Sequence, residues 1–184
     1  PREIRQGLID LMAGHDVIAD YFDLSLQHAS SHLLRSMRRP GSGEQHLDLI
    51  SRIRVAAPTA ATRSSFIVGY PGETDDDVEE LASSLSEARL SWAGFFPYSL
   101  EDGTTAAELP DQVDRTEIEE RFRYLQRLQD DITAAANAAV VGSTVDVLVD
   151  QVEDGTPVGR SYREAPEIDG MIVLDRGTAG QWVQ

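Results

Sequence analysis

The first 140 residues alternate between two patterns of apolar side chains. One pattern repeats every three or four positions, which is typical of an amphipathic helix, and the other forms short runs typical of a strand. The helical pattern occupies residues 3–13, 30–37, 42–55, 75–89 and 114–140. The strand pattern occurs within residues 17–27, 62–69 and 92–98. This alternation predicts a parallel sheet with crossover helices, and three strands are too few to close a barrel.

Capping and chain-breaking residues support these boundaries. Ser30, Ser42 and Thr74 each precede a helical segment, where a hydroxyl can accept a hydrogen bond from the first turn. Pro40 and Pro58 follow helical segments and cannot continue them. The sequence therefore predicts short connections between well-defined helices and strands.

The pattern changes after Gly142. Valines alternate with other residues from Thr144 to Val149, and short β-like runs follow at residues 169–174 and 181–183. Glycines and a proline separate these runs, as in small antiparallel barrels. We expect residues 1–140 to form a domain built on this parallel sheet. We expect residues 141–184 to form an incomplete, antiparallel β-barrel module.

The charge of the chain is strongly negative. Thirty-two acidic residues face 16 basic ones, giving a net charge of −16, and every basic residue is an arginine. Such a surface repels nucleic acid and attracts a basic protein; the alternative is that it serves solubility alone. With no apolar run long enough to cross a bilayer and no signal-peptide pattern, we expect a soluble, cytoplasmic protein with no membrane partner.

The sequence contains no cysteine. Disulfides, thiolate nucleophiles and iron–sulfur clusters with cysteine ligands are therefore excluded within this chain. The four histidines lack the spacing of a zinc site, so we predict no metal ligand. The chain starts at Pro1 rather than Met, and we expect it to be a piece of a longer protein.

Two candidate sites follow predicted strands. The segment Phe66–Thr74 ends a strand in a Gly-Tyr-Pro-Gly turn, where Gly69 could let a ligand approach the backbone. The alternative is a strand-to-helix turn with Glu73 interacting with the helix dipole. At the end of another strand, Gln27 and His28 offer hydrogen bonds to a polar ligand, or form an ordinary polar turn.

Three further segments carry distinctive residues. Phe96 and Tyr98 follow the third strand and either flank a heterocycle or belong to the core. Arg39 either grips a carboxylate or lies at a solvated helix end. The string GRSYREAPEIDG at residues 159–170 predicts a loop or hairpin between barrel strands, and no catalytic geometry follows from it.

Together and in this order, these segments resemble the radical S-adenosylmethionine (SAM) methylthiotransferases. The string SFIVGYPGE at residues 65–73 is similar to the family pattern GxIxGxxxE, and residues 98–104 are similar to its YSxExGT motif. The string LQHAS at residues 26–30 resembles the branch that methylthiolates an aspartate of a small-subunit ribosomal protein. Residues 159–170 resemble that branch's TRAM module, a small β-barrel.

This resemblance implies a SAM-binding role for particular residues. Gln27 and His28 would lie near the ribose of SAM, Ile67 and Gly69 would face its adenosyl group, and Phe96 and Tyr98 would flank it. Glu73 completes the strand motif, and Arg39 would contact a carboxylate of cofactor or substrate. The implied fold is part of a radical SAM (β/α) barrel followed by a TRAM-like barrel.

The departures from the family pattern concern mainly the iron–sulfur cluster. Ser25, Ser65 and Tyr70 replace the usual Pro, Gly and Phe. More seriously, the CxxxCxxC motif whose thiolates hold the radical-generating 4Fe-4S cluster is absent. Since SAM cannot be cleaved reductively without that cluster, we expect this chain to be inactive alone.

Three functions therefore stay open. Either the parent protein methylthiolates a basic ribosomal protein, or it modifies tRNA as other members of the family do, against the charge of this chain. Alternatively, the cysteine-free chain is a non-catalytic, acidic binding module. An incomplete barrel would leave a sheet edge unpaired, so we also expect association or marginal stability.

Overall fold

The computed structural model describes residues 4–184 as two sheets with five α-helices. The amino-terminal elements are α1 (Gln6–Ala13), β1 (Tyr21–Gln27), α2 (Ser31–Ser36), α3 (Gly43–Ala56), β2 (Ala61–Val68), α4 (Asp75–Ala88), β3 (Trp92–Pro97), a 3₁₀ turn (Thr105–Glu108) and α5 (Arg115–Ala138). The carboxy-terminal strands are β4 (Val147–Glu153), β5 (Thr156–Arg160), β6 (Ile172–Val173) and β7 (Trp182–Val183). None of the helices within residues 4–184 is long and apolar enough to span a bilayer.

The first sheet is parallel with the order β1-β2-β3, and the second is antiparallel with the order β6-β5-β4-β7. The predicted fold class, a partial α/β barrel followed by a small antiparallel β module, is therefore confirmed. Local capping explains two helix starts. Thr74 and Asp77 form a reciprocal capping box at α4, and Asp114 accepts the Thr116 N–H at α5. Ser30 occupies the cap position of α2 without a capping hydrogen bond from its side chain.

The two faces of the parallel sheet differ in chemistry. Alternate residues of each strand, such as Leu24, Phe66 and Phe95, pack against the helices and form the apolar core. The opposite face, which we call the inner face, carries mostly polar and aromatic side chains, and those of Asp23, Ser25 and Phe96 are exposed. Its members are Tyr21, Asp23, Ser25, Arg63, Ser65, Ile67, Trp92, Gly94 and Phe96.

The second sheet differs from the sequence prediction at β5. Gly155, Pro157 and Gly159 were predicted to separate β-like runs, whereas Pro157 and Gly159 lie within a strand, Thr156–Arg160. Asp154 and Gly155 both have positive φ, 46° and 84°, which gives a two-residue hairpin turn between β4 and β5. Position 159 of this strand requires a glycine because a Cβ there would lie 2.2 Å from the Leu148 carbonyl oxygen. The first strand of this sheet also begins later than predicted, at Val147.

The connection from β5 to β6 joins the two sheets. We call residues 161–170 the docking loop. Its Asp169 accepts hydrogen bonds from the Tyr21 hydroxyl at 2.6 Å and from Arg63 Nε at 3.2 Å, both on the inner face. The Trp92 indole N–H donates to the Arg163 carbonyl at 2.6 Å. The string GRSYREAPEIDG is thus a loop between strands, as predicted, and it binds the amino-terminal end of the inner face.

Candidate cofactor-binding edge of the sheet

The carboxyl ends of the three parallel strands bring several predicted site residues to one edge. In the strand register, Gln27 is opposite Phe66, and Ile67 is opposite Phe96. Phe96 is 56% exposed on the inner face, whereas its neighbour Phe95 is buried in the core. The strand alternation therefore excludes the core interpretation for Phe96, and its packing against a heterocycle stays a prediction.

His28 follows β1 and is completely buried. Its Nδ1 accepts the Ser30 backbone N–H at 3.0 Å, so the proton of the neutral ring lies on Nε2. Nε2 faces Glu73 Oε2 at 3.4 Å. Both nitrogens are thus turned into the protein, and a direct hydrogen bond from His28 to a ligand would require the ring to leave these contacts.

Glu73 is buried at the centre of a polar network. Its Oε1 accepts the Gly69 backbone N–H at 2.9 Å and a hydrogen bond from Arg121 Nη1 at 3.1 Å. The expected interaction with the dipole of α4 is therefore replaced by contacts with a strand end, a histidine and an arginine. A buried carboxylate needs such partners, since leaving it unpaired would cost several kcal/mol, of the order ~3–5.

Arg121, which sequence reasoning missed, closes this network from α5. It also donates to the Glu73 carbonyl at 3.1 Å and to Asp75 at 2.8 Å, and it pairs with Glu117. Burial alone would lower the pKa of Arg121, but the hydrogen bond to Asp75 and the charges of Glu73 and Glu117 raise it above its usual value. The available signal was an arginine on the apolar stripe of α5, between Ile118 and Leu125.

The packing around residue 69 explains why this position is a glycine. Its φ is +80°, and a Cβ would lie 2.2 Å from Cγ1 of Ile118 on α5. The sequence analysis predicted that this glycine lets a ligand approach the backbone. On the side where a side chain would project, the space is instead filled by Ile118, so protein packing excludes any larger residue.

Tyr98 lies beside Tyr70 after the third strand. The two rings meet edge to face, with centroids 5.6 Å apart. The Tyr98 hydroxyl is buried and has no hydrogen-bond partner among the described residues. Burial, together with the nearby Tyr70 and Glu101, raises the pKa of Tyr98. This orphaned hydroxyl is a polar atom that a ligand at this edge could satisfy.

Arg39 follows α2, whose last residue, Ser36, accepts a hydrogen bond at its carbonyl from the Tyr70 hydroxyl at 3.5 Å, just beyond the end of β2. Its backbone N–H donates to the Leu34 carbonyl at 2.7 Å, while Arg38, with φ of 55°, donates to the Arg35 carbonyl at 3.0 Å. These two bonds form a Schellman motif at the end of α2. The motif leaves Arg39 exposed at the helix end, and its contact with a carboxylate of cofactor or substrate stays a prediction.

The chemistry of this edge suits an organic cofactor better than a metal cluster. Gln27 offers an amide, Ile67 and Phe96 offer an apolar surface, and Tyr98 offers an unpaired hydroxyl, which fits a nucleoside such as that of SAM. A 4Fe-4S cluster does not fit, because the chain has no thiolate. Residues 4–184 also contain no group of three potential metal ligands brought together.

Comparisons of sequence and structure agree with this arrangement. The sequence profile of the radical SAM superfamily matches residues 2–85, and that of the TRAM domain matches residues 141–184. A similar solved structure is coproporphyrinogen III oxidase (HemN) from Escherichia coli, described as a radical SAM enzyme. The TM-score is 0.57 at 18% identity, over 70% of this chain and 31% of that chain. At this identity the likeness supports the fold alone.

Curated relatives match almost the whole chain. Proteins named ribosomal protein uS12 methylthiotransferase RimO are 48% identical in Salinispora arenicola, over 98% of this chain and 36% of the relative, and 44% identical in Moorella thermoacetica, over 100% and 42%. The relative in Streptomyces coelicolor is 43% identical, over 96% of this chain and 37% of its own length. The chain thus spans about two fifths of these relatives or less. By its sequence it belongs to the radical SAM methylthiotransferase family, in the RimO branch.

Proposed function

We propose that the protein containing this chain methylthiolates an aspartate of ribosomal protein uS12 by radical SAM chemistry. The observation that carries the proposal is the match, over nearly the whole chain, to relatives named for that reaction. When bound and reduced by an iron–sulfur cluster, SAM supplies the radical for hydrogen abstraction from the substrate. The thiolates for such a cluster must come from residues outside this chain, so the chain alone is inactive.

Within this proposal, the residues of the sheet edge divide into two groups. Gln27, Ile67 and Phe96 are accessible from the inner face and contact the adenosyl moiety of SAM, and Tyr98 closes that surface. His28, Gly69 and Glu73 are positioning residues. Because Glu73 accepts the Gly69 N–H and faces His28, it fixes the ends of β1 and β2 relative to each other. Arg39, exposed after the end of α2, contacts a carboxylate of the cofactor or of the substrate.

The charge supports a basic protein as substrate. A net charge of −16 repels the phosphates of tRNA and attracts a lysine- and arginine-rich ribosomal protein. The same charge, with the absence of cysteine, also favours a second candidate, an acidic binding module without catalytic activity.

The test is to express the whole gene that encodes this chain in a bacterium lacking its own uS12 methylthiotransferase. We expect mass spectrometry of uS12 to detect a methylthio group on one aspartate. Methylthiolated tRNA nucleosides with unmodified uS12 would overturn the proposal in favour of the tRNA branch. If neither is modified, while the chain still binds uS12 with a steep salt dependence, the binding module is the correct function.

As a control for the cofactor surface, Phe96→Ala and Val55→Ala are compared in the same strain. Phe96→Ala removes exposed aromatic surface at the sheet edge, so we expect uS12 modification to fall at least tenfold. Val55→Ala shortens an 81% exposed side chain on α3 and should leave modification unchanged. Equal effects of the two variants would contradict the assignment of the edge as the SAM surface.

A further inference from the structure

The outer edge of β3 is unpaired, since β2 is its sole neighbour in the described sheet. Successive residues of a strand turn their backbone N–H and C=O groups to alternate sides, so the hydrogen bonds between β2 and β3 show which groups of β3 face outward. Ala61 of β2 donates to Asp20, so odd residues of β2 bond towards β1 and even residues towards β3. Ser64 is opposite Ala93, and the Tyr98 N–H donates to the Val68 carbonyl at 2.8 Å. The backbone N–H and C=O groups of Gly94 and Phe96 therefore bond to β2. The N–H and C=O groups of Ala93 and Phe95 therefore point outward.

Two features protect the backbone groups at this edge of β3, but only at its ends. Pro97, which has no N–H, falls on the outward phase, where a proline breaks no ladder bond. At the start of the strand, Gln129 donates to the Leu90 carbonyl and Thr133 to the Ser91 carbonyl, each at 3.0 Å. Helix α5 thus satisfies two carbonyls that immediately precede β3. Beyond them, no described residue hydrogen-bonds to the outward groups of Ala93.

A cavity of about 490 Å³ opens beside this stretch. Its walls are Ala93 and Gly94 of the strand, Gln126 and Asp130 of α5, and the end of the docking loop. The charge of this cavity is negative. Arg63, which also lines it, is already paired with Asp23 and Asp169, whereas Asp130 is exposed and has no cationic partner among the described residues.

We propose that the outer edge of β3 binds an extended segment of a basic partner protein as an added strand. The backbone groups of Ala93 and Phe95 pair with the segment, and Asp130 binds an arginine or lysine side chain of it. A peptide backbone is the complement of a row of unpaired N–H and C=O groups, and the negative cavity selects a basic one. The inference rests on the proposed function for its partner, uS12, and adds where that partner is held.

The test uses overlapping synthetic peptides of uS12 and the fluorescence anisotropy of each with this chain. We expect one basic peptide to bind, and Ala93→Pro to weaken its binding at least tenfold, because proline removes the outward donor. Ala93→Ser keeps the N–H and should bind as the parent chain does. Asp130→Asn should weaken binding a few fold and reduce its salt dependence.

Folding controls keep this test decisive. Ala93→Pro removes no bond to β2, so its circular dichroism and urea midpoint should stay close to those of the parent. Gly94→Pro removes an inward donor and should lower the midpoint clearly. Equal peptide affinity for Ala93→Pro and Ala93→Ser, with both folded, would overturn the proposal.

The outcomes also separate this proposal from the proposed function. If uS12 is methylthiolated by the whole protein but no uS12 peptide binds at the β3 edge, only the edge proposal fails. If a basic peptide binds in an Ala93-dependent way while uS12 stays unmodified, the proposed function fails and the edge site remains. If peptides bind this chain but not the whole protein, another segment of that protein occupies the edge, and the edge proposal fails.

Discussion

The docking loop should make the antiparallel module depend on one carboxylate, that of Asp169. Its side chain is only 3% exposed and joins Tyr21, Arg63 and the Ala165 N–H, the last at 2.9 Å. Asp169→Ala leaves the Arg63 guanidinium, which is 11% exposed, with the half-exposed Asp23 as its remaining ionic partner. Breaking a buried ion pair costs about 3–5 kcal/mol, and because Asp23 stays, we expect about 3 kcal/mol. Asp169→Asn keeps the size and loses the charge, so we expect about 1–2 kcal/mol.

The free-energy cost of Asp169→Ala should weaken the contact between the docking loop and the parallel sheet rather than unfold the whole chain. A cost of about 3 kcal/mol corresponds to a factor of roughly 150 in the docking equilibrium. Trp92 reports on docking, since its indole donates to the loop carbonyl of Arg163. In a background of Trp182→Phe, an exposed site, we expect urea to shift Trp92 fluorescence before it abolishes the helical circular dichroism of Asp169→Ala. The parent chain should show coincident transitions.

Tyr21 provides an independent readout of the same contact. Burial, followed by the hydrogen bond to Asp169 and its charge, raises the pKa of Tyr21 well above the usual value. In Asp169→Asn the pKa should fall towards ~10, measured by ultraviolet titration of the phenol. Coincident unfolding transitions in Asp169→Ala, together with an unchanged Tyr21 titration in Asp169→Asn, would refute this reasoning.

Three further predictions concern the carboxyl edge of the parallel sheet. Arg121→Met removes the cationic partner of the buried Glu73, so urea unfolding should show a loss of about 3 kcal/mol, and adding Glu73→Gln should recover part of it; additive losses would contradict the pairing. Gly69→Ala forces a side chain into Ile118 at positive φ and should cost on the order of 3 kcal/mol in the same assay, whereas an unchanged midpoint would exclude that clash. Burial alone would raise the pKa of Asp77, but hydrogen bonds from Ser30 and Thr74 and the charge of His32 lower it to about 2. The ionised Asp77 carboxylate therefore stabilises the folded state by about 2 kcal/mol above pH ~4, and this stabilisation is lost as the pH falls towards 2. Asp77→Asn should make the stability depend less on pH in this acid range.

Local chemistry made much of the fold predictable. Thr74 and Asp114 cap their helices through residues two or three positions away, and such contacts can be inferred from spacing alone. The strand β5 escaped prediction because its Gly159 is required by the neighbouring strand, whose carbonyl it touches. The Asp-Gly pair before it was the usable signal, since that dipeptide favours a two-residue hairpin turn.

The candidate site was predictable only where it follows strand ends. Gln27, Ile67 and Phe96 could be placed together because parallel strands end at one edge. Arg121 and Asp169 could not, because their partners lie 48 and 106–148 positions away in the sequence. Their roles arise from tertiary packing, which brings a helix and a distant loop against the sheet. Such contacts cannot be inferred from the amino-acid composition.

The docking loop has a consequence for how such proteins can recombine. A β module held by a flexible linker could be exchanged between relatives at the linker without loss. Here the residues that receive the module, Tyr21, Arg63 and Trp92, lie on all three strands of the parallel sheet. A chimera joined near residue 142 would inherit a foreign loop opposite these side chains. Gene exchange at that joint therefore succeeds only between chains that keep both halves of the contact, and the two modules are inherited together.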